Sequence, residues 1–243
     1  MFRHKGKKRT YLHNIRLASM LSFIAGLVNV TGVLSVRTLT TNVTGHFAFF
    51  AEELTGENFN VAFIFLIYIF SFLLGAFISN FIVEITVRIK PRMAHAIPML
   101  IEMGVLCMAG TFAVPEKLMN TATQVIACSL LFAMGLQNSL VTKVSDSVVR
   151  TTHLTGLFTD LGIELSQLFF FRQPFERGKL KKSVYLRLAI ITFFFLGCIV
   201  SGYLYNYLHL KVLFLAAMCL LFALVYDNLR YFFYRLQRKM RYR

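Results

Sequence analysis

The sequence predicts an all-α, polytopic membrane protein: six transmembrane helices plus two half-helices, arranged as two inverted three-span repeats. Three observations carry that prediction. The 243 residues are 57% hydrophobic, with a mean hydropathy of +0.63. Only 15% are charged, against about 25% in a soluble domain. The Lys and Arg residues gather between long apolar runs, and one short phrase occurs twice. A net charge of +15 would suggest nucleic acid in a soluble protein. Its clustering between apolar runs assigns it to a membrane surface instead, and no nucleic-acid partner is expected.

Residues 1–16 form a basic tail, expected in the cytoplasm, with no small-residue cleavage site of a secretory leader. Residues 17–36 are an uncharged run of 20, long enough to cross ~30 Å of hydrocarbon. Gly26, Asn29, Thr31 and Gly32 within it suit a helix that faces protein rather than lipid. Thr44 before Gly45 is a candidate N-cap. The segment from His46 to Leu54 is too short to span, so it reads as a half-helix. Residues 61–83 form the second span and end at Glu84, followed by the basic loop Arg88, Lys90, Arg92.

The third span is expected over 94–114, kinked at Pro98 and carrying Glu102 inside its apolar run. Pro115-Glu116-Lys117 makes a turn, and 118–142 the fourth span. Thr155 is the matching N-cap candidate for a helix over 156–171, which sets Asp160 and Glu164 one turn apart on one face. A basic stretch, 172–187, separates it from the fifth and sixth spans, 188–208 and 212–229. Residues 230–243 are a second basic tail. Domain limits are therefore 1–16 for the first tail, 17–115 and 116–229 for the two repeats, and 230–243 for the last tail. Cys107, Cys128, Cys198 and Cys219 all fall in apolar stretches, without metal-ligand spacing or a disulfide framework.

The repeat rests on order and spacing. Thr41-Asn42-Val43-Thr44-Gly45 recurs as Thr152-His153-Leu154-Thr155-Gly156, an offset of 111 from Gly45 to Gly156. Ahead of each stands a Gly-Leu-x-Asn element, Gly26 to Asn29 and Gly135 to Asn138, at an offset of 109. Arg37 and Arg150 precede the phrases and acidic residues follow them, which together read as an internal duplication. Basic residues set the orientation. With the N-terminus inside, 23 of the 26 Lys and Arg lie on cytoplasmic segments, and only Arg37, Lys117 and Lys211 lie outside. Both termini are then cytoplasmic. Three spans per half is an odd number, so the halves run in opposite directions. Inverted repeats with broken helices are the architecture of many secondary transporters, whose sites form near the midplane where half-helices meet. Two half-helix N-termini, with their free N–H groups, and two arginines would favour an anion or a carboxylate.

With these surroundings, the chain resembles the YoaK family of small hydrophobic bacterial membrane proteins from about residue 17 to 229. The resemblance is carried by Ala25-Gly26-Leu27-Val28-Asn29, Thr44-Gly45-His46, Ala133-Met134-Gly135-Leu136-Gln137-Asn138 and Arg150-Thr151-Thr152-His153-Leu154-Thr155-Gly156. Asn29 stands where that family usually has an acid, and His46 where it has Asn. The resemblance implies a bacterial inner (cytoplasmic) membrane protein and brings no established activity.

Candidate substrate-binding residues are Asn29, Arg37, Thr41, Asn42, Thr44, Gly45, His46, Gln137, Asn138, Arg150, Thr151, Thr152, Thr155 and Gly156. Each has a plainer role open to it. The two asparagines could lock helices together, the Thr-Gly pairs could only cap, Arg150 could merely obey the positive-inside rule, and the histidines could bond within a turn. Glu102, Asp160 and Glu164 are the candidates for proton or ion coupling; a buried pair for Glu102 and a solvated helix face for the other two are the alternatives. The function expected is a transporter or permease for a small polar or anionic solute. A channel or passive pore, and a non-transporting scaffold or partner subunit, are the alternatives. No catalytic residue, metal or cofactor is expected: Gly-x-Ser-x-Gly and His-Glu-x-x-His are absent from the sequence. The partners expected are the lipid bilayer and a small solute, with a second copy of the chain left open.

Overall fold

The computed structural model describes residues 11–91, 93–112, 121–170 and 173–241, with side chains as far as residue 226. Among these residues the regular structure is entirely helical. In chain order the elements are α1 (Tyr11–Val36), α2 (Val43–Thr55), α3 (Phe59–Ile89), α4 (Ala96–Gly110), α5 (Thr121–Ser145), α6 (Leu154–Phe170), α7 (Pro174–Leu208), a 3-10 turn (His209–Lys211) and α8 (Val212–Arg241). The basic tail before residue 11, Arg92, the turn at 115–117 and the side chains of Asp227 and the last tail lie outside the described residues.

Four stretches are long and apolar enough to cross a membrane: Tyr11–Val36, Phe59–Ile89, Thr121–Ser145 and Pro174–Tyr226. The last passes through α7, the 3-10 turn and the start of α8, where His209 adopts a positive φ of 48° that breaks the helix. The expected third span is shorter than 94–114. Helix α4 has 15 residues, about 22 Å at 1.5 Å each, less than the ~30 Å of a bilayer core. Pro98 does not kink it. It falls in the first turn of α4, where a missing N–H has no helical partner to lose. From Pro174 on, the basic stretch 172–187 is the first part of α7, which starts with Pro174 at a position that proline favours.

Helices α1 and α5 are enclosed and carry most of the fully buried large side chains, among them Leu21, Ile24, Leu27, Leu130, Leu131, Met134 and Leu136. Helix α3 is the reverse. Only Ala62, Tyr68, Gly75, Ser79 and Val83 are buried along it, and Phe63, Phe70, Leu73, Phe77 and Phe81 face outward. A helix that is apolar all round suits hydrocarbon on one side and protein on the other.

Two close crossings build the bundle. A Cβ on Gly26 of α1 would overlap the backbone carbonyl of Phe194 on α7, and one on Gly197 of α7 would overlap that of Phe23 on α1. The same reciprocal fit joins α3 to α5: Gly75 sits against the Phe132 carbonyl and Gly135 against that of Phe72. Since lipid is as apolar as a side chain, close backbone approach and dispersion, rather than exclusion of water, hold such helices together. The Thr31 and Ser201 hydroxyls, 2.9 Å apart, bond further along the first crossing, and Lys143 meets Glu84 at 2.6 Å along the second. In both, positions rise together on the two partners, so α1 runs parallel to α7 and α3 parallel to α5. Between α1 and α5 the sense is opposite. Gln137 donates to the Leu21 carbonyl at 2.8 Å, while Gly32 lies beside Leu130.

Candidate functional site

The first phrase folds back onto the end of α1. Arg37 closes that helix in the left-handed region, at φ 54°, and the Thr38 amide donates to the Gly32 carbonyl at 3.3 Å. The returning chain brings Thr41 and Thr40 to Asn29, whose Oδ1 accepts from their hydroxyls at 3.0 and 3.5 Å. Asn42, not Thr44, caps α2: its Oδ1 accepts from the Gly45 amide at 3.1 Å. Thr44 is already inside the helix and exposed. His46 is 2% exposed. Its Nε2 lies 2.9 Å from the Leu39 carbonyl, which makes that nitrogen the donor. The ring stacks on Phe65 at 6.1 Å and meets the edge of Tyr68 at 5.6 Å. His46 is thus the pin that holds the phrase and α2 against α3.

The second phrase follows a similar course from the end of α5. Asp146 and Ser147 take positive φ, 56° and 62°. The Ser145 hydroxyl donates to the Val149 carbonyl at 3.2 Å and accepts from its amide at 3.0 Å. The chain then buries Thr151 beside Gln137, at 3.5 Å between hydroxyl and amide. Thr155 is inside α6, which begins at Leu154, so it is not the cap either. The His153 ring lies where a Cβ on Gly156 would stand. Glycine in the Thr-Gly step is therefore explained in both phrases: the residue three before it, Asn42 or His153, folds its side chain over the first helical turn.

Beside this phrase is a cavity of about 470 Å³, within the range of small-ligand sites. Asn138, Arg150, Thr152 and His153 line it, with Asn80 of α3 and Ser139 and Thr142 of α5. Lys143 and Asp146 stand at its wall as well, Lys143 already bonded to Glu84. Thr152 is 9% exposed, with no hydrogen-bond partner for its hydroxyl among the described residues. Gln137 lies behind the wall, fully buried, its Oε1 without a partner among the described residues.

Asp160 and Glu164 do share a face of α6, and Arg187 of α7 takes both. Its Nη1 lies 3.0 Å from Asp160 Oδ2. Its Nε and Nη2 each donate to Glu164 at 2.8 Å. Ser183 adds a bond to Glu164 Oε1 at 2.6 Å. Glu102 is 1% exposed on α4, with neither carboxyl oxygen hydrogen-bonded among the described residues.

The two phrases do not meet at a midplane. Because α1 and α5 are antiparallel, Asn29 and Asn138 stand toward opposite ends. Asn138 adjoins Gln137, whose partner Leu21 is eight residues before Asn29 on α1, an axial separation of about 12 Å. The fully buried Ile24, Ala25, Leu27 and Val28 fill the interval. The first phrase gathers Asn29, Thr41, Asn42, Gly45 and His46 at one end; the second gathers Asn138, Arg150, Thr152 and His153 around the cavity at the other. Arg37 and Arg150 are not counterparts, since one ends α1 and the other stands in the link to α6.

Sequence reasoning missed Arg187, Ser183, Asn80 and the Phe-x-Leu-Gly run that recurs as Phe72-Leu73-Leu74-Gly75 and Phe194-Phe195-Leu196-Gly197 at an offset of 122. That run was visible and would have identified both crossings. Among the described residues, no group of three His, Cys, Asp or Glu side chains is placed to hold a metal ion.

A family model described as a protein of unknown function, DUF1275, matches residues 17–226. No curated protein and no solved structure matches the chain.

Proposed function

We propose that this chain, which belongs to the DUF1275 family of proteins of unknown function, is a transporter for a small polar or anionic solute in the bacterial inner membrane. On this reading it crosses the membrane six times, with both termini in the cytoplasm. Helices α1 to α4 and α5 to α8 are inverted copies of one unit. Three features support the inversion. Gly26 and Gly135 are the glycines of the recurring Gly-Leu-x-Asn element, and each takes part in a reciprocal glycine crossing with a Phe-x-Leu-Gly glycine of the other half. The helices that bear the recurring element, α1 and α5, run antiparallel to each other. Each half carries its short helix, α2 or α6, against its own outer helix, α3 or α7.

The observation that carries the reading is the cavity at the second phrase. It brings Asn138, Arg150, Thr152 and His153 to one space, beside the first turn of α6. In the proposed orientation this space opens to the cytoplasm, while the counterpart Asn29 is tied to Thr41 and Thr40 at the outer end. A solute site reached from one side and bonded shut at the other suits alternating access. A partner subunit would gain nothing from such a recess.

The test is a melting-temperature screen of the detergent-purified protein against small organic acids, amino acids, sugars and inorganic anions, followed by uptake of any hit into proteoliposomes. The expected outcome is a ligand that raises the melting temperature, an increase that Arg150→Ala abolishes, and saturable uptake of that ligand. A panel without a single shift and liposomes without uptake would overturn the proposal.

A further inference from the structure

Helix α4 carries one charged residue, Glu102. Met99, Glu102, Leu106 and Ala109 recur at helical spacing and are all buried, at 0–1% exposure, whereas Leu100 and Met108 on the other face are 45% and 56% exposed. Glu102 therefore points into the bundle. Its side chain is too short to snorkel to an aqueous surface as a lysine would. Neither of its carboxyl oxygens has a hydrogen-bond partner among the described residues.

Among the described residues no counter-charge meets Glu102: the buried His95 just ahead of α4 makes no hydrogen bond to either carboxyl oxygen. Helix α3 carries Tyr68, Glu84 and Arg88, α5 carries Cys128 and Lys143, the 3-10 turn His209 and Lys211, and α8 to residue 226 only Cys219 and Tyr226. Lys143 is engaged by Glu84, and none of the basic groups makes an ion pair with Glu102. An isolated carboxylate in apolar surroundings is so unfavourable that such a group neutralises itself. Of the acids that stand out in the sequence, Asp160 and Glu164 have Arg187 for this purpose; Glu102 has no such partner among the described residues.

We propose that Glu102 is a proton-binding site, standing as a neutral carboxylic acid inside the bundle and giving its proton to water only when water reaches α4. The exchange is the plain ionisation of a carboxyl, with the proton passing to solvent. On the transporter reading above, on which this clause alone rests, that proton is the coupling ion. Proton sites of this kind sit on inward faces of membrane helices because an ionisable group there is otherwise too costly to keep.

Infrared spectroscopy of the full-length protein in detergent at pH 7 tests it. The wild type should show the C=O stretch of a protonated carboxyl, one per chain, which Glu102→Gln removes and Glu102→Asp moves in frequency without removing. Carbodiimide, which attaches to protonated carboxyls, should label the Glu102 peptide and leave Asp160 and Glu164 untouched. A wild-type spectrum with carboxylate bands alone, or a protonated band that survives Glu102→Gln, would overturn the proposal. If the band is present and no solute binds, the proton site stands and the transporter reading falls. If a solute binds and the band is missing, the reverse holds.

Discussion

On the proposed repeat, helices α2 and α6 occupy matching places, and they are fastened by opposite chemistry. Counting from the Thr-Gly steps, Phe49 of α2 corresponds to Asp160 of α6; counting from the Phe-x-Leu-Gly glycines, Phe65 of α3 corresponds to Arg187 of α7. Phe49 and Phe65 pack with their rings tilted by 33° at 5.3 Å between centroids, and Asp160 and Arg187 form an ion pair at 3.0 Å. One backbone juncture thus accepts an aromatic clasp at one end of the molecule and an ionic one at the other. The contrast bears on which short helix can move. Stacked rings around a buried His46 respond little to solvent. An arginine shared by two carboxylates can be loosened by salt or by a competing anion, and α6 starts directly after His153 of the cavity wall.

The largest effect should show no difference between the halves. Gly26→Leu and Gly135→Leu each drive a side chain into a backbone carbonyl across a helix crossing. Overpacking costs typically about 1–3 kcal/mol and occasionally more, and a leucine set against backbone stands at the upper end, so recovery of folded protein on gel filtration should collapse equally for both. A folded Gly135→Leu beside an unfolded Gly26→Leu would show that the crossings are not equivalent.

Arg187→Ala should come next and should separate the two ends. It strips Glu164 and Asp160 of their partner, a loss of about 1.5–3 kcal/mol for hydrogen bonds to charged groups. Hydrogen exchange should rise across residues 154–170 and stay unchanged across 43–55. Equal loosening of both helices would mean that the ionic contact supports the whole bundle rather than α6.

The smallest effect is that of salt. At 1 M the screening length shrinks to about 3 Å, and the half-exposed Asp160–Arg187 bridge should lose roughly 0.5 kcal/mol. Exchange in α6 should quicken slightly relative to low salt, while α2, held by rings, should not respond.

Much of this was legible beforehand. Long apolar runs located α1, α3, α5 and the α7–α8 stretch, because twenty uncharged residues have few other uses. The offsets of 109 and 111 located both short helices, since the turn after each buried helix repeats the same backbone problem. The caps were misassigned because threonine before glycine looks like a cap; only the fold shows that Asn42 and His153 reach over the glycine. The partner of Asp160 and Glu164 was hidden for a similar reason: Arg187 sat in a run of basic residues that the positive-inside rule already explained. Lining the cavity with Asn80 required knowing that α3 lies along α5, which no local pattern discloses.

The parallel pairing of α1 with α7 bears on how the chain is made. Gly26 must wait for Gly197, 171 residues downstream, and at 5–20 residues per second that interval lasts roughly 10–30 s. Until then α1 carries its glycine and asparagine unshielded, without the helix that packs closest on it. Docking of α1 therefore waits until α7 has been made, and a chain cut short before α7 would be an orphan fit for degradation rather than half of a working protein.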